Sequence, residues 1–399
     1  MPWERATVTE QKVEFVREYY SRVKTKEISM RELCNAYGIS RKGGYASIAA
    51  FEASGWPGLA GKSRAPHSGQ HWAEPEVIQA VLDTREEFPE WGAKKIVAYL
   101  SDLEPDRNWP VASVAHEWIR KAGMVRPRAR TRRFSHPGRP PSVVIDRPNQ
   151  QWSVDFKGHF RTQDRRYCYP LTVFDSFSRY VLGCKALPSP SFDLTWPVFV
   201  RLFREFGLPE AILSDNGPPF SSMSVRHLSR LAVLWIRLGI SPLLIDPGKP
   251  QQNGRHERMH RDLKAIACAN PSSTCTSQQL QFNHFLYRFN QLRPHEALGQ
   301  TPPARSYQPS PRPYPRRIPQ VSYPAGLEIR RVRSSGEIKW AGQWFFLSDS
   351  LVGETVAFEL VDNDCWIIKY TTLELGYYSG REKKLHLDRP WPDGKAENK

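Results

Sequence analysis

The sequence lacks the features that mark membrane-spanning and disulfide-rich proteins. No run of about 18 or more apolar residues occurs in the 399-residue chain, so no membrane-spanning helix is predicted. Residues 1–5 do not begin an apolar signal-peptide segment. None of the six cysteines stands in a Cys-x-x-Cys pair, which disfavours a disulfide framework or a zinc knuckle and leaves free buried thiols as the expectation. We therefore expect a cytoplasmic protein with no membrane partner.

Acidic residues are in short supply. The 41 Asp and Glu against 57 Lys and Arg give a net charge of +16 and an isoelectric point near 9.6. This excess favours a polyanionic partner and predicts salt-sensitive binding. Residues 120–142 contain eight Lys or Arg and no acid, so we expect a flexible basic segment that lies along DNA rather than a merely solvated linker.

Three of the acids stand in segments of a particular kind. Asp155 follows an alternating run and is expected on a strand, and Asp215 closes a second strand at 211–213. Carboxylates at the carboxyl ends of neighbouring strands lie where open α/β sheets place ligands. Glu257 falls in a segment, 254–267, with the composition of a helix. Convergent carboxylates are suitable ligands for Mg²⁺ and can hold two ions. In a displacement at phosphorus, the two ions act on the attacking and the leaving oxygen.

The helix expected around Glu257 places four polar residues on one face. Positions 257, 260, 261 and 264 recur at helical spacing and carry Glu257, His260, Arg261 and Lys264. One acid followed by cations is the pattern expected of a metal ligand backed by phosphate-binding side chains. Basic side chains near a helix are also commonly a solvated face, and both interpretations stay open.

Four blocks of the sequence together resemble a known family. They are WSVD at 152–155, LTVFDSFSRY at 171–180, SDNG at 214–217 and PGKPQQNGRHER at 247–258. In this order they are similar to the retroviral integrase-like core of the DDE transposases of bacterial insertion sequences, and the similarity spans residues 145–308. The resemblance implies an RNase H-like fold, a catalytic and metal-binding triad of Asp155, Asp215 and Glu257, and two Mg²⁺ ions per active site with Mn²⁺ as a substitute.

The spacing of the three acids leaves one alternative open. Fifty-nine residues separate the two aspartates, as is common in such cores, but the forty-one between Asp215 and Glu257 exceed the usual interval. We expect the excess to lie in an apolar helix at 225–240. Asp246 is a rival third acid, but it precedes a Pro-Gly pair in an expected loop, so Glu257 is preferred. A single Asp after a strand is often a turn former, and Asp175 is expected to form a hairpin turn.

The residues before the core predict a helix-turn-helix unit. Helices are expected at 8–21, 29–37 and 40–53. Gly38 would form the turn and Ser40 the N-cap of the third helix, which is helix-turn-helix spacing. Arg41 and Lys42 would then face DNA. Two glycines, Gly43 among them, weaken the third helix, and an ordinary three-helix bundle stays the alternative.

Further units are expected on both sides of the core. A second helical unit, with helices at 76–88, 93–103 and 111–122, resembles the second helix-turn-helix unit of the same transposases. After the core, a Pro-rich segment predicts an extended spacer, and short β-favouring runs separated by turns predict a small β-barrel. Basic residues of that barrel could contact DNA, or the barrel could mediate assembly; they are Arg330, Arg331, Arg333 and Lys339.

The predicted fold class is therefore multidomain, with N-terminal all-α helix-turn-helix units, a central α/β RNase H-like catalytic core and a small C-terminal all-β barrel. The predicted domains are 1–60, 70–125, a basic linker at 126–144, the core at 145–308, a Pro-rich linker at 309–324 and the barrel at 325–385. The candidate DNA-binding residues are Arg41, Lys42, Arg126, Arg128, Arg130, Arg132, Arg133, Lys249, Arg255, Arg261 and Lys264.

The resemblance implies a transposase associated with the bacterial nucleoid. It would bind double-stranded DNA at the ends of its mobile element, cleave at the 3′ ends and join them to target DNA by metal-dependent strand transfer. Two ends must be held together for joining, so self-association into a synaptic multimer is expected. The alternatives are a non-catalytic DNA-binding regulator or inactive relic, which could tolerate loss of a triad acid, and a hydrolytic RNase H-like nuclease with the same core chemistry.

Overall fold

The computed structural model describes residues 8–60, 74–125, 145–246, 250–362 and 364–388, without the side chains of residues 250 and 251. The chain divides into two compact units, 1–73 and 74–399. Six candidate DNA-binding residues lie outside the described residues, namely Arg126, Arg128, Arg130, Arg132, Arg133 and Lys249. No helix in the described parts of the chain is long and apolar enough to cross a membrane.

The first unit is a small helical bundle. Its helices are α1 (Val8–Glu18, continued by a π turn at Tyr19–Val23), α2 (Met30–Ala36) and α3 (Arg41–Ser54), followed by a 3₁₀ turn (Trp56–Leu59). Ser29 begins α2 with a capping box, and the Ser40 side chain accepts a hydrogen bond from Gly43 N, as an N-cap should. Gly44 lies against α1 and α2, where an added Cβ would be 2.7 Å from Cys34 Sγ. Close helix packing therefore explains a glycine inside α3, while the helix-turn-helix interpretation stays a prediction.

The second unit begins with three more helices, α4 (Pro75–Glu87), α5 (Ala93–Leu103) and α6 (Ala112–Lys121). Phe88 and Trp91 stack between them with ring centroids 3.8 Å apart. Arg85 holds the end of this region, because its guanidinium donates to Trp91 O and to Met124 O. This helical region is thus a closed packing unit built on two aromatic rings.

A mixed six-stranded sheet follows. Its strands are β1 (Gln151–Phe156), β2 (Phe160–Arg161), β3 (Tyr167–Asp175), β4 (Val181–Leu187), β5 (Ala211–Ser214) and β6 (Ser241–Leu244). The order is β2-β3-β1-β5-β6, with β4 also paired to β3. Strands β1, β3 and β4 are antiparallel neighbours, whereas β5 and β6 run parallel to β1. A mixed α/β core is therefore confirmed.

Four helices cover the sheet. They are α7 (Phe192–Phe206), α8 (Arg230–Arg237), α9 (Gly254–Leu263, continued by a π turn at Lys264–Cys268) and α10 (Cys275–Tyr287, continued by a π turn at Arg288–Leu292). Alternation along β1 sends Trp152 and Val154 into the apolar layer shared with α7 and α8. The opposite layer is closed by α9 and α10, with Met259 and Phe282 in its core. Asp155 belongs to this second face.

The prediction of a single helix at 225–240 is wrong. The structure has a 3₁₀ turn at Val225–His227, with the backbone of Arg226 and His227 in the left-handed region at φ 53° and 56°. A separate helix, α8, then begins at a Ser229 N-cap whose side chain accepts from Ala232 N at 3.1 Å. Left-handed residues cannot continue a right-handed helix, so the apolar run is split.

The C-terminal region is all-β. Its strands are β7 (Glu328–Arg331), β8 (Glu337–Trp340), β9 (Gln343–Phe346), β10 (Thr355–Asp362), β11 (Cys365–Tyr370), β12 (Leu373–Ser379) and β13 (Lys384–Leu387). Five of them form an antiparallel sheet in the order β13-β12-β11-β10-β7, and β8 pairs with β9 as a hairpin. Closure of these strands into a barrel stays a prediction.

The Pro-rich segment expected as a spacer has no helix or strand, but it is fixed to the core. Arg312 donates to the carbonyls of Pro209, Leu238 and Gly239 at 2.8–2.9 Å. Tyr314 lies against Phe203 of α7, with centroids 6.1 Å apart. The segment therefore leads the chain across a packed surface to the C-terminal strands, whose apolar side chains join the same buried cluster.

Candidate active site

Two carboxylates are brought together by the parallel pairing of β1 and β5. Their register pairs Ser153 with Leu213, so two residues further along, Asp155 and Asp215 reach the same level of adjacent strands and the same face. Asp215 directly follows β5, and its Oδ1 accepts from Gly217 N at 3.3 Å. Local strand geometry thus apposes the first two predicted triad residues.

The electrostatics of this pair are unfavourable without a cation. Burial is the main reason that the pKa of Asp155 rises from 3.8 to about 7, and the nearby Asp215 raises it further. The Phe156 amide and Lys157 act in the opposite direction, and Glu257 again raises this pKa. Burial also raises the pKa of Asp215. Two hard oxygen donors held side by side in this way fit a divalent cation, which favours their ionised forms.

The third predicted residue lies close to the pair but does not complete a cluster. Glu257 is in the first turn of α9, its side chain is exposed, and it acts electrostatically on Asp155. Among the described residues, however, no three His, Cys, Asp or Glu side chains are gathered tightly enough to hold a metal ion. The donor set therefore fits a metal at the aspartate pair, with the third carboxylate outside ligand distance in this structure.

The prediction of a polar face on α9 is wrong for one of its four residues. Glu257, Arg261 and Lys264 are exposed, but His260 is only 4 % exposed because the buried stripe of the helix includes residues 256, 259, 260 and 263. Burial is the main reason that the pKa of His260 falls to about 3, with a smaller effect of Lys157. The imidazole is therefore neutral and does not serve as a phosphate-binding cation.

His260 instead joins a buried network that attaches α9 to the sheet. Its Nε2 lies 2.6 Å from Thr172 Oγ1 on β3, and its Nδ1 lies 3.6 Å from Asp155 Oδ2. The Thr172 hydroxyl also lies 2.6 Å from His256 Nε2 and donates to Asp155 O at 3.0 Å. One hydroxyl thus connects both histidines of α9 with the strand that carries Asp155.

The other end of the network reaches β1. His256 Nδ1 lies 2.8 Å from Ser153 Oγ, which also bonds Asn253 Oδ1 at 2.6 Å, next to the start of α9. These positioning side chains were not predicted from the sequence. A signal was present, since the two histidines are four residues apart and share a face with Met259 and Leu263. The helix bearing Glu257 is therefore fixed to β1 and β3 by side-chain hydrogen bonds.

The two other acids considered have different partners. Asp175 ends β3 and accepts from Asn149 N, Ser178 N and Ser178 Oγ at 2.6–2.8 Å, so its role as a hairpin turn former is confirmed. Asp246, the rival third acid, exchanges two hydrogen bonds of 2.9 Å with Gln252. Its carboxylate is therefore bound to the Gln252 side chain, just before α9.

Two protein-family matches cover the region that contains this sheet and its carboxylates. Residues 145–250 match the integrase core domain, and residues 238–303 match a second description of the integrase core domain. Residues 145–303 of the chain are therefore similar to the integrase core domain. The expected resemblance to the transposases of insertion sequences is confirmed.

Two curated relatives illustrate the similarity. A 39.2 kDa protein of insertion element IS476 from Xanthomonas euvesicatoria is 31 % identical over 166 residues, which cover 40 % of this chain and 44 % of that protein. The Gag-Pol polyprotein of baboon endogenous virus (strain M7) is 34 % identical over 122 residues, which cover 30 % of this chain and 6 % of the polyprotein. The chain thus spans less than half of the length of each of these relatives.

Two solved structures that match this chain are an integrase catalytic core domain and an intasome. The HTLV-2 integrase catalytic core domain in complex with magnesium is 20 % identical, covers 41 % of this chain and 98 % of that chain, and has a TM-score of 0.32. The simian T-cell lymphotropic virus intasome in complex with PP2A regulatory subunit B56 gamma is 15 % identical, covers 78 % of this chain and 100 % of that chain, and has a TM-score of 0.36.

The described DNA-binding candidates are all exposed. Arg41 and Lys42 stand in the first turn of α3, in the first compact unit. On the integrase core, Arg261 and Lys264 share the outer face of α9 with Glu257, whereas Arg255 lies one turn earlier and donates to Ser176 O at 2.9 Å. The core therefore presents cations on two different sides of α9.

Proposed function

We propose that this protein is a DDE transposase that binds the ends of its mobile element, cleaves at the 3′ ends and joins them to target DNA. The observation that supports this most directly is the β1–β5 register that apposes Asp155 and Asp215 within an integrase core domain. A half-buried carboxylate whose pKa is raised by burial and by a neighbouring carboxylate is characteristic of functional sites. The relative from an insertion element is consistent with a mobile-element protein.

Asp155, Asp215 and Glu257 would hold two Mg²⁺ ions, for which Mn²⁺ can substitute. When bound, such ions stabilise charge on the attacking and leaving oxygens at phosphorus and acidify the attacking water or 3′-hydroxyl. The chain itself supplies the geometry: β1 and β5 hold the aspartates, and the hydrogen bonds of Thr172 hold α9 against them. No side chain has to act as a nucleophile.

The remaining regions would handle DNA. The net charge of +16 suits a double-stranded DNA partner at both the element ends and the target. We assign end recognition to the two helical regions, with Arg41 and Lys42 in the groove, and phosphate contacts to the basic segment at 126–144 and to Arg261 and Lys264 of the core. Joining two ends requires a synaptic multimer of this chain.

The test uses purified full-length protein and labelled duplexes from the DNA that flanks its coding region, with Mg²⁺ or Mn²⁺. We expect 3′ cleavage and joining by wild type, and a loss of at least about 100-fold for Asp215→Asn and Glu257→Gln, because each removes a metal ligand. Asp246→Asn is the matched control, since it removes the rival acid and should retain activity.

Each other outcome assigns a different function. Duplex binding without cleavage by wild type would refute catalysis and favour a regulator or relic. Cleavage without joined products would favour a hydrolytic nuclease. Activity in Glu257→Gln but not in Asp246→Asn would move the third triad position to Asp246.

A further inference from the structure

The helical region 74–125 meets the integrase core along a seam rich in cations. Lys95 of α5 reaches across the seam and donates a hydrogen bond to Pro294 O. Arg305 of the core pairs with Asp102 of α5 at 2.6 Å, and Arg288 donates to Glu87 O at 2.8 Å. These contacts fix the two regions against each other, so side chains on the two sides of the seam face one another in defined positions.

The charges at this seam do not balance. Lys95 lies near Arg293 and Arg258, and burial together with these two arginines lowers its pKa to about 8, against the opposing influence of Asp262 and Glu296. Asp262 is already paired with Arg293 at 2.7 Å. The other acid that acts on Lys95, Glu296, is exposed and lies 3.9 Å from Lys94. Cations therefore outnumber the acids available to them.

Polar groups at the seam are also left without partners. Within the described parts of the chain, Arg258 makes no hydrogen bond or ion pair, although it lies on α9 beside the seam. The buried Nε of Arg293 and Nε2 of His295 have no hydrogen-bond partner among the described residues. These two atoms are inaccessible and do not themselves contact a ligand, whereas the exposed guanidinium of Arg258 beside them is open to an anionic acceptor.

We propose that Arg258, in the positive potential of Lys95 and Arg293, binds a phosphate of duplex DNA whose backbone crosses the seam between the helical region and the integrase core. The site rests on the proposed function, since it presumes a DNA substrate. A polyanion fits better than a small anion because the cations continue beyond the site. Arg255, one turn before Arg258, and Arg179 both donate to Ser176 O, at 2.9 and 2.6 Å. Together, these cations would guide duplex DNA from the helical region to the core.

The experiment measures metal-free duplex binding by the full-length protein as a function of salt. Arg258→Gln removes an exposed charge that makes no internal bond, and it should reduce the slope of log binding constant against log salt by about one and weaken binding several-fold. Lys95→Gln should act in the same direction, because glutamine retains a donor for Pro294 O. Lys94→Gln is the matched control: this neighbouring lysine is 74 % exposed and should leave the slope unchanged.

Each result either supports or overturns the site. Slopes equal to wild type in both seam variants, or an equal loss in Lys94→Gln, would overturn it, as would the absence of duplex binding by wild type. Inorganic phosphate that raises the melting temperature of wild type but not of Arg258→Gln, with DNA binding unaffected, would assign a small-anion site instead. Because no metal is present, these results do not depend on catalysis, so failure of the proposed reaction stays distinguishable.

Discussion

Replacing Asp155 by asparagine should stabilise the metal-free protein above neutral pH. The carboxyl of Asp155 has a pKa of about 7 in the folded chain, against an ordinary value of 3.8 for an aspartate in the unfolded chain. Its side chain is 21 % exposed. A difference of about three pH units, at about 1.4 kcal/mol each, sets an upper bound of about 4 kcal/mol on the cost of ionising Asp155 in the fold. Asparagine has nearly the same shape and carries no charge, so it removes this cost.

The sign of the effect follows from the two pKa values. Below 3.8 both the folded and the unfolded chain hold the proton, so the substitution should change little. Between 3.8 and about 7 the unfolded chain ionises first, and wild type should lose stability as the pH rises relative to the asparagine variant. Above that range the difference should be constant, at about 2–4 kcal/mol.

Denaturant unfolding in EDTA at a series of pH values measures this difference. Asp83→Asn is the control, since Asp83 is an exposed carboxylate on α4 that accepts from Gln79, and asparagine keeps that acceptor. Mg²⁺ should then raise the stability of wild type and not of Asp155→Asn, because only the carboxylate pair binds the ion. Parallel pH profiles of wild type and Asp155→Asn would show that Asp155 is not buried beside another acid, and the site geometry would be wrong.

Substitutions at three further positions test side-chain contacts at the candidate site and elsewhere in the fold. Thr172→Val removes the hydroxyl shared by the two buried histidines and should cost about 1–3 kcal/mol in denaturant unfolding, while reducing strand transfer and leaving duplex affinity unchanged; a loss of duplex affinity would contradict this. Asp175→Ala leaves the buried amides of Ser178 and Asn149 without an acceptor and should cost about 2–4 kcal/mol, and Asp175→Asn less, in the same unfolding assay. Arg312→Met removes the donors to three carbonyls and should expose residues 308–319 to limited proteolysis at an unchanged overall fold; equal cleavage rates would show that the segment is held by other contacts.

Asp155 and Asp215 could be placed from the sequence because their positions depend on local patterns. An alternating run ending in Asp155 and a strand ending in Asp215 determine which face and which end of the sheet each side chain occupies. The Ser40 cap of α3 is a local signal of the same kind, and it forms as expected. These signals need only a few neighbouring residues.

Features that depend on what an element packs against could not be placed in this way. His260 has a polar side chain, which by itself predicts exposure. It is buried because it shares the sheet-facing side of α9 with Met259 and Leu263. The break before α8 depends on left-handed backbone at Arg226 and His227, neither of which is a glycine that would signal it. Proline content predicts an extended segment but does not reveal the carbonyls that Arg312 contacts.

The three proposed triad acids are attached to the fold by different means, and this difference explains the incomplete cluster. Asp155 lies in β1 and Asp215 directly follows β5, and these two strands are paired. The backbone hydrogen bonds between the strands therefore set the separation of the two carboxyls, although burial raises the pKa of both. Glu257 belongs to a helix that reaches the same strands only through side chains, chiefly the Thr172 hydroxyl. A divalent cation held by the aspartate pair would offset this cost and attract the third carboxylate, and an approach of α9 would change side-chain hydrogen bonds while the pairing of β1 with β5 is kept.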